Sequence, residues 1–272
     1  MNIQLIALDL DGTALNPDHL TLSARLQKVL KKAHEKGIRV VPVTGRPYRL
    51  LPSLLLDHPD WESYAVLCNG AQVRDLRTGE VLANHPMEKD FLSQVLDIVE
   101  SYDLPVEFNS DGRLYHTKHT LSQELLEPRL LFHCTFLLPK SGVMVESLRD
   151  CCDLEVEKVH INCVPPEHWE EVQQALQKLD VTVVCEKPPN LEVTHRHATK
   201  GQGLQLLCER LGIPLDNVLA IGDSGNDLTM FEAAGISVAM GSAPEHVRAA
   251  ADYVTGTNLE DGAADAILRF AF

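Results

Sequence analysis

A chain of 272 residues with 44% hydrophobic content is long enough to bury one large core or two modest ones. Its formal net charge of -15 leaves no basic footprint for DNA or RNA and argues against a polybasic membrane site, so an anionic ligand needs a local positive patch. Seven Cys, an odd number without paired metal-ligand spacing, and an opening that reads as a strand and not as a signal peptide predict a reduced, cytoplasmic protein.

In chain order, Ile3 to Leu8 reads as an apolar strand that runs into Asp9-Leu10-Asp11-Gly12-Thr13. Side chains alternate along a strand, so Asp9 and Asp11 would share a face if the strand continued, and two carboxylates about 4 Å apart repel by roughly 4 kcal/mol at an effective dielectric near 20. A counter-charge or a shared proton is therefore expected between them. A helical stripe of Leu22, Leu26, Val29, Leu30 and Ala33 stops at Gly37, completing a βα unit of a parallel sheet. Ile38 to Val43 is a second strand ending at Thr44-Gly45-Arg46, and Tyr64 to Cys68 a third ending at Asn69-Gly70. From Gln72 to His85 the pattern is a hairpin around Arg77-Thr78-Gly79.

Beyond it the texture changes, with helices around Phe91 to Val99 and Trp169 to Leu179, a strand at Val159 to Val164, and several Pro residues. This predicts an inserted second domain of helices over a partly antiparallel sheet. Its most apolar run, Leu130 to Leu138, is far shorter than the roughly 20 residues of a membrane span. The first rhythm resumes with Lys200-Gly201 before the stripe Leu204, Leu207, Cys208, Leu211. Val218 to Ile221 then leads into Gly222-Asp223-Ser224-Gly225-Asn226-Asp227, and Ile236 to Met240 into Gly241-Ser242.

Four stations thus fall at strand ends or helix starts. Thr44 with Gly45 offers a hydroxyl and an approachable backbone N-H to a phosphate oxygen. Lys200 places an ammonium at a helix N-terminus, where anions bind well. The loop from Gly222 to Asp227 is oxygen-rich, the setting hard Mg2+ prefers, although a plain turn with Asp227 as a helix N-cap has the same composition. Each station alone has such a bland explanation; their joint occurrence at one sheet edge does not.

With these motifs in order, the chain resembles the haloacid dehalogenase superfamily of phosphatases and phosphotransferases. Within it the chain is similar to the Cof-type sugar-phosphate phosphatases, through Thr44-Gly45-Arg46, Asn69-Gly70-Ala71, Leu191-Glu192-Val193, Val238-Ala239-Met240 and Asn258-Leu259-Glu260-Asp261-Gly262. The resemblance implies an α/β fold: a Rossmann-like parallel-sheet core over 1–83 and 188–272, interrupted by a mobile α/β cap of the C2 type over 84–187. It implies Asp9 as the nucleophile that becomes an aspartyl phosphate, and Asp11 as acid and then base. Mg2+ would be held by Asp9, the Asp11 backbone carbonyl and Asp223, with Ser224 a further candidate and Asp227 anchoring the ligands from behind. Thr44, the backbone at Leu10 and Gly45, Lys200 and Asn226 would fix the phosphoryl oxygens. The substrate would be a small phosphorylated metabolite; the oligomeric state is not implied.

Two other readings stand beside hydrolysis: a phosphotransferase or sugar phosphomutase on the same scaffold, and a phospho-ligand sensor without turnover, for which the full set of acids has no chemical need. Ala14 departs from the leucine common in this group, a change expected to affect packing. His195-Arg196-His197 reads as a solvated hinge strand in preference to a metal pair. Arg46 is equally readable as a source of field at the site and as a structural ion pair, and Cys151-Cys152 as inert thiols.

Overall fold

The computed structural model of the chain describes residues 2–57, 64–131, 133–184 and 189–272. They form two compact units, one within Met1–Arg46, Leu51–Asn84 and Thr199–Phe272, the other within Pro47–Leu50 and His85–Ala198.

The first unit opens with β1 (Leu5–Leu8), α1 (Ala24–Glu35), β2 (Arg39–Pro42), α2 (Ser53–Asp57) and β3 (Tyr64–Leu67). β1 is buried along its whole length, as a strand covered on both faces must be. The Ser23 side chain caps α1 by accepting from Leu26 N at 3.0 Å, and Leu26, Val29, Leu30 and Ala33 form its buried stripe. β4 (Gln72–Asp75) and β5 (Val81–Asn84) make the hairpin read from the sequence, with Asp75 Oδ1 accepting from Arg77 N and Thr78 N in the turn.

The second unit follows with α3 (Phe91–Val99), β6 (Val106–Ser110), β7 (Arg113–Thr117), α4 (Lys118–Glu124), α5 (Leu138–Ser141), β8 (Gly142–Val145), β9 (Lys158–Ile161), α6 (Trp169–Gln177), β10 (Val181–Val184) and β11 (Leu191–His195). Its sheet runs β10-β11-β9-β6-β7-β8, antiparallel except for the β7–β8 pair. One face, with Val106, Phe108, Val159, Ile161, Leu191 and Val193, builds a core with α3 and α6. Alternation sends Glu107, Asn109, Lys158, His160, Glu192 and Thr194 to the other face, where register sets Glu107 opposite His160 and Asn109 opposite Lys158.

The chain then returns to the first unit through α7 (Lys200–Leu211), β12 (Val218–Gly222), α8 (Leu228–Ala233), β13 (Ile236–Ala239), α9 (Glu245–Ala250), β14 (Tyr253–Val254) and α10 (Gly262–Phe270). The parallel sheet has the order β14-β13-β12-β1-β2, and β3-β4-β5 form a second, antiparallel sheet tied to the first by a bridge between Val43 and Val66. This is a Rossmann-like core interrupted by an α/β insertion.

One expected boundary needs correction. The return at 187/188 lies outside the described residues, but β11, read as core, pairs with β9 and β10 and buries Leu191 and Val193 in the second core, so the units part at Ala198/Thr199. Directly after that boundary the backbone is crowded: Gly70 has φ +101°, and a Cβ there would meet Thr199 O at 2.0 Å. Gly70→Ala is expected to cost about 1–3 kcal/mol from the backbone conformation alone. The overlap adds to this, so the thermal midpoint should fall by several degrees; an unshifted midpoint would refute the close approach.

Candidate active site

The carboxyl ends of β1, β2 and β12 are neighbours in the parallel sheet, which is where ligands bind in open α/β folds. β1 ends at Leu8, and the Asp9 N-H donates to Ile221 O at 3.0 Å, fixing Asp9 beside the end of β12. From Leu10 to Ala14 the chain coils, with extended backbone at Asp11 and φ +82° at Gly12, so Asp9 and Asp11 do not continue as one strand face.

The two acids are served by different cations. Lys200, the first residue of α7, donates from Nζ to Asp9 Oδ1 at 2.7 Å and to Asp227 Oδ1 at 2.6 Å, all three groups being buried. Asp11 is gripped by Arg46, whose Nε donates to Oδ2 and Nη2 to Oδ1, both at 2.6 Å, and by His19, whose Nδ1 lies 2.7 Å from Oδ1. Each carboxylate thus has its own cation, in place of the one counter-charge expected between the pair, because the coil that begins at Leu10 interrupts the strand between them.

Their protonation differs accordingly. Burial pushes the Asp9 carboxyl well above its ordinary value; Lys200 opposes this, while Asp227 and Asp223 reinforce it. Burial also acts upward on Asp11, but the hydrogen bonds from His19 and Arg46 outweigh it and hold that carboxyl well below the usual range. Lys200 keeps its proton despite burial, because Asp227 and Asp9 raise its pKa above the ordinary lysine value.

Asp227 leads into α8 without capping it. Its Oδ2 instead accepts from Asp223 N and Ser224 N, each at 2.9 Å, which holds the loop after β12 in place. Thr13 Oγ1 donates to Asp223 Oδ1 at 3.1 Å, linking that loop to the β1 turn. Ser224 Oγ donates to Asn226 Oδ1 at 2.7 Å, and Asn226 Nδ2 to Asn69 Oδ1 at 3.2 Å. Thr44 is buried, its Oγ1 accepting from Arg46 N at 3.1 Å, with Gly45 between them. Leu10 is buried at the head of the coil after β1.

Every residue read from the sequence as a catalytic, phosphate-binding or metal-ligand candidate thus lies on the loops or helix start of this one sheet edge, and His19, Arg46 and Asn69 join them. His19 carried no sequence signal, whereas Arg46 and Asn69 stood inside quoted motifs without a firm role. By contrast, His195, Arg196 and His197 belong to the second unit, where Arg196 pairs with Asp180. Ala14 is buried, and Cys151 and Cys152 are free thiols whose pKa values burial raises.

Ligand atoms of Asp9, Asp223 and Asp227 lie within 4.8 Å of one another. Three buried carboxylates against one ammonium are short of positive charge, and an all-oxygen set of this kind fits Mg2+. Among the described residues, no helix is long and apolar enough to cross a membrane.

A model of the haloacid dehalogenase-like hydrolase family matches residues 6–267. The phosphatase YwpJ of Bacillus subtilis is 31% identical, over 96% of this chain and 98% of its own. The 5-amino-6-(5-phospho-D-ribitylamino)uracil phosphatase YitU of the same organism is also 31% identical, over 96% and 94%. A solved haloacid dehalogenase-like hydrolase from B. subtilis superposes with a TM-score of 0.86 at 28% identity, covering 99% of this chain and 100% of that one.

Removing the Lys200 ammonium would leave Asp9 and Asp227 facing each other uncompensated. Breaking a buried pair in this way costs about 3–5 kcal/mol, so Lys200→Met should lower the urea midpoint markedly. A midpoint equal to that of the parent would show that the ammonium is not the keystone of the site.

Proposed function

The chain belongs to the haloacid dehalogenase-like hydrolases and is a phosphatase, and we propose that it cleaves a small phosphomonoester, a sugar phosphate or a close analogue, with Mg2+ and through a phosphorylated Asp9. The observation that carries this reading is the pairing of Lys200 with Asp9 and Asp227 beside Asp223, a buried acid cluster with one ammonium among its carboxylates. Asp9, the Asp11 carbonyl and Asp223 would hold Mg2+, with Ser224 next to them. The ion supplies positive charge to the phosphoryl oxygens when bound.

In the first step an Asp9 carboxylate oxygen attacks phosphorus and the bond to the leaving oxygen breaks, with Asp11 donating a proton to that oxygen. In the second, water attacks the phosphorus of the acyl phosphate, Asp11 takes its proton, and the P-O bond to Asp9 breaks, restoring the carboxylate and releasing phosphate. Asp11, ionised against Arg46 and His19, is in the form the second step needs. For the first step it must take up a proton and loosen that grip. Thr44 Oγ1, the backbone at Leu10 and Gly45, and Lys200 are assigned to the phosphoryl oxygens. Asn226, which gives one amide hydrogen to Asn69, offers its other.

The name of the YitU relative describes a phosphate carried on a ribityl chain, and this supports a polyhydroxylated phosphomonoester as the class to test first.

A panel of sugar phosphates, nucleotides and p-nitrophenyl phosphate should give phosphate release that chelation stops and Mg2+ restores. Activity surviving both chelation and Asp9→Ala would sink the metal and nucleophile assignments. Asp11→Asn should lower kcat by about 10²–10⁴-fold while Mg2+ uptake persists, because its backbone carbonyl remains. Undiminished turnover in that variant would remove Asp11 from proton transfer.

A further inference from the structure

The inserted unit contains a second buried cluster of ionisable groups, one that phosphoryl chemistry does not use. Glu107 on β6 is 1% exposed and Glu124, the last residue of α4, is 0% exposed. His133, nine positions beyond Glu124 in the sequence, sets Nε2 3.0 Å from the Glu107 carboxylate. Asn162 Nδ2 donates to Glu124 Oε1 at 2.6 Å, and Cys134 Sγ lies 3.8 Å from Glu124 Oε2. One ligand atom of each of Glu107, Glu124 and His133 lies within 4.8 Å of the other two.

We propose that Glu107, Glu124 and His133 form a binding site for a divalent transition-metal ion of the Zn2+ class, which fastens α4 and the segment around His133 to the sheet. The donor set selects the class: an imidazole with two carboxylates suits Zn2+, Co2+ or Mn2+, whereas Mg2+ and Ca2+ favour oxygen alone. Three different parts of the chain supply the ligands, and Asn162 orients Glu124 from behind, as outer partners do at metal sites.

An unpartnered polar atom points the same way. Asn109 is 0% exposed and its Nδ2 has no hydrogen-bond partner. It sits two residues along β6 from Glu107 on the same face, and its Oδ1 lies 2.8 Å from Nε2 of His160, the residue opposite Glu107 in the register. This sets an unsatisfied buried amide on the polar face that carries the cluster, where a water or ligand held beside an ion would supply the acceptor it lacks.

Charge balance agrees with the geometry. Burial, with Glu107 adding to it, pushes the Glu124 carboxyl up to about 8. Without an ion, a proton keeps Glu107 and Glu124 from carrying full like charges against each other; a divalent cation takes over that duty.

The test uses the full chain with Asp9→Asn and Asp223→Asn together, which disables the first acid cluster, and Co2+ as the probe. This protein should take up one equivalent of Co2+ with a visible d-d absorption band, and its thermal midpoint should rise in Zn2+. Adding Glu124→Gln, which keeps the volume and the Asn162 contact, or His133→Ala should weaken uptake at least tenfold and remove the band. No Co2+ uptake by the parent double variant, or uptake unchanged by both additions, overturns the proposal. Neither outcome touches the phosphatase reading, because phosphate release is not measured.

Discussion

A buried ammonium between two carboxylates is the interaction on which the catalytic unit depends. Taking Lys200 and its partners out of water costs several kcal/mol per ion and is offset only when distances are short and both sides are paired. Contacts of 2.7 Å to Asp9 and 2.6 Å to Asp227 meet that condition, and they tie the start of α7 to the ends of β1 and β12. The sequence around Lys200 is built for this. A Cβ at Gly201 would meet Thr229 O at 2.2 Å, and one at Gly203 would meet Val66 Cγ1 at 2.5 Å. Each glycine inside a helix costs about 1 kcal/mol relative to alanine, and here that cost lets the first turn of α7 lie low enough for the ammonium to reach.

The same geometry makes two aspartates, two positions apart, chemically unlike. Asp9 is buried among acids and answered by one ammonium, so its charge calls for more cation than the protein supplies. Asp11 is answered by a planar guanidinium on both oxygens and by an imidazole, so its charge is secure. A group so well satisfied is a poor proton donor until something displaces its partners, whereas its base form is ready. The coil that begins at Leu10 creates this division, because it breaks the strand between the two side chains.

What the sequence revealed and what it hid follow from the range of the interactions. Strand ends are local: an apolar run broken by Asp-Gly, Thr-Gly or Gly-Asp marks the carboxyl edge; β1, β2, β3 and β13 lie within the predicted runs, and β12 exceeds its run by Gly222. The stripes of α1 and α7 were legible for the same reason. The grip of His19 and Arg46 on Asp11 was not, since it joins positions 8 and 35 residues apart and only the folded turn fixes their direction. β11 falls to the inserted unit and not to the core, and a short alternating strand carries no signal of which sheet it joins. Only the register against β9 and β10 decides that. The polar face of the inserted sheet was hidden too, because Glu107 and Lys158 look like solvent-facing positions of an alternating strand, yet both are buried.

The two buried acid clusters meet one physical problem in different ways. At the sheet edge of the first unit, the carboxylates are held by a lysine that keeps its proton near neutral pH, which leaves three buried acids against one tethered ammonium. In the inserted unit the balance at Glu107 and Glu124 is struck with the His133 imidazole and a proton on Glu124. A proton is exchangeable for a metal ion where a covalently tethered ammonium is not. The first cluster is therefore built to work with its lysine always in place, and the second to have its proton replaced by a metal ion.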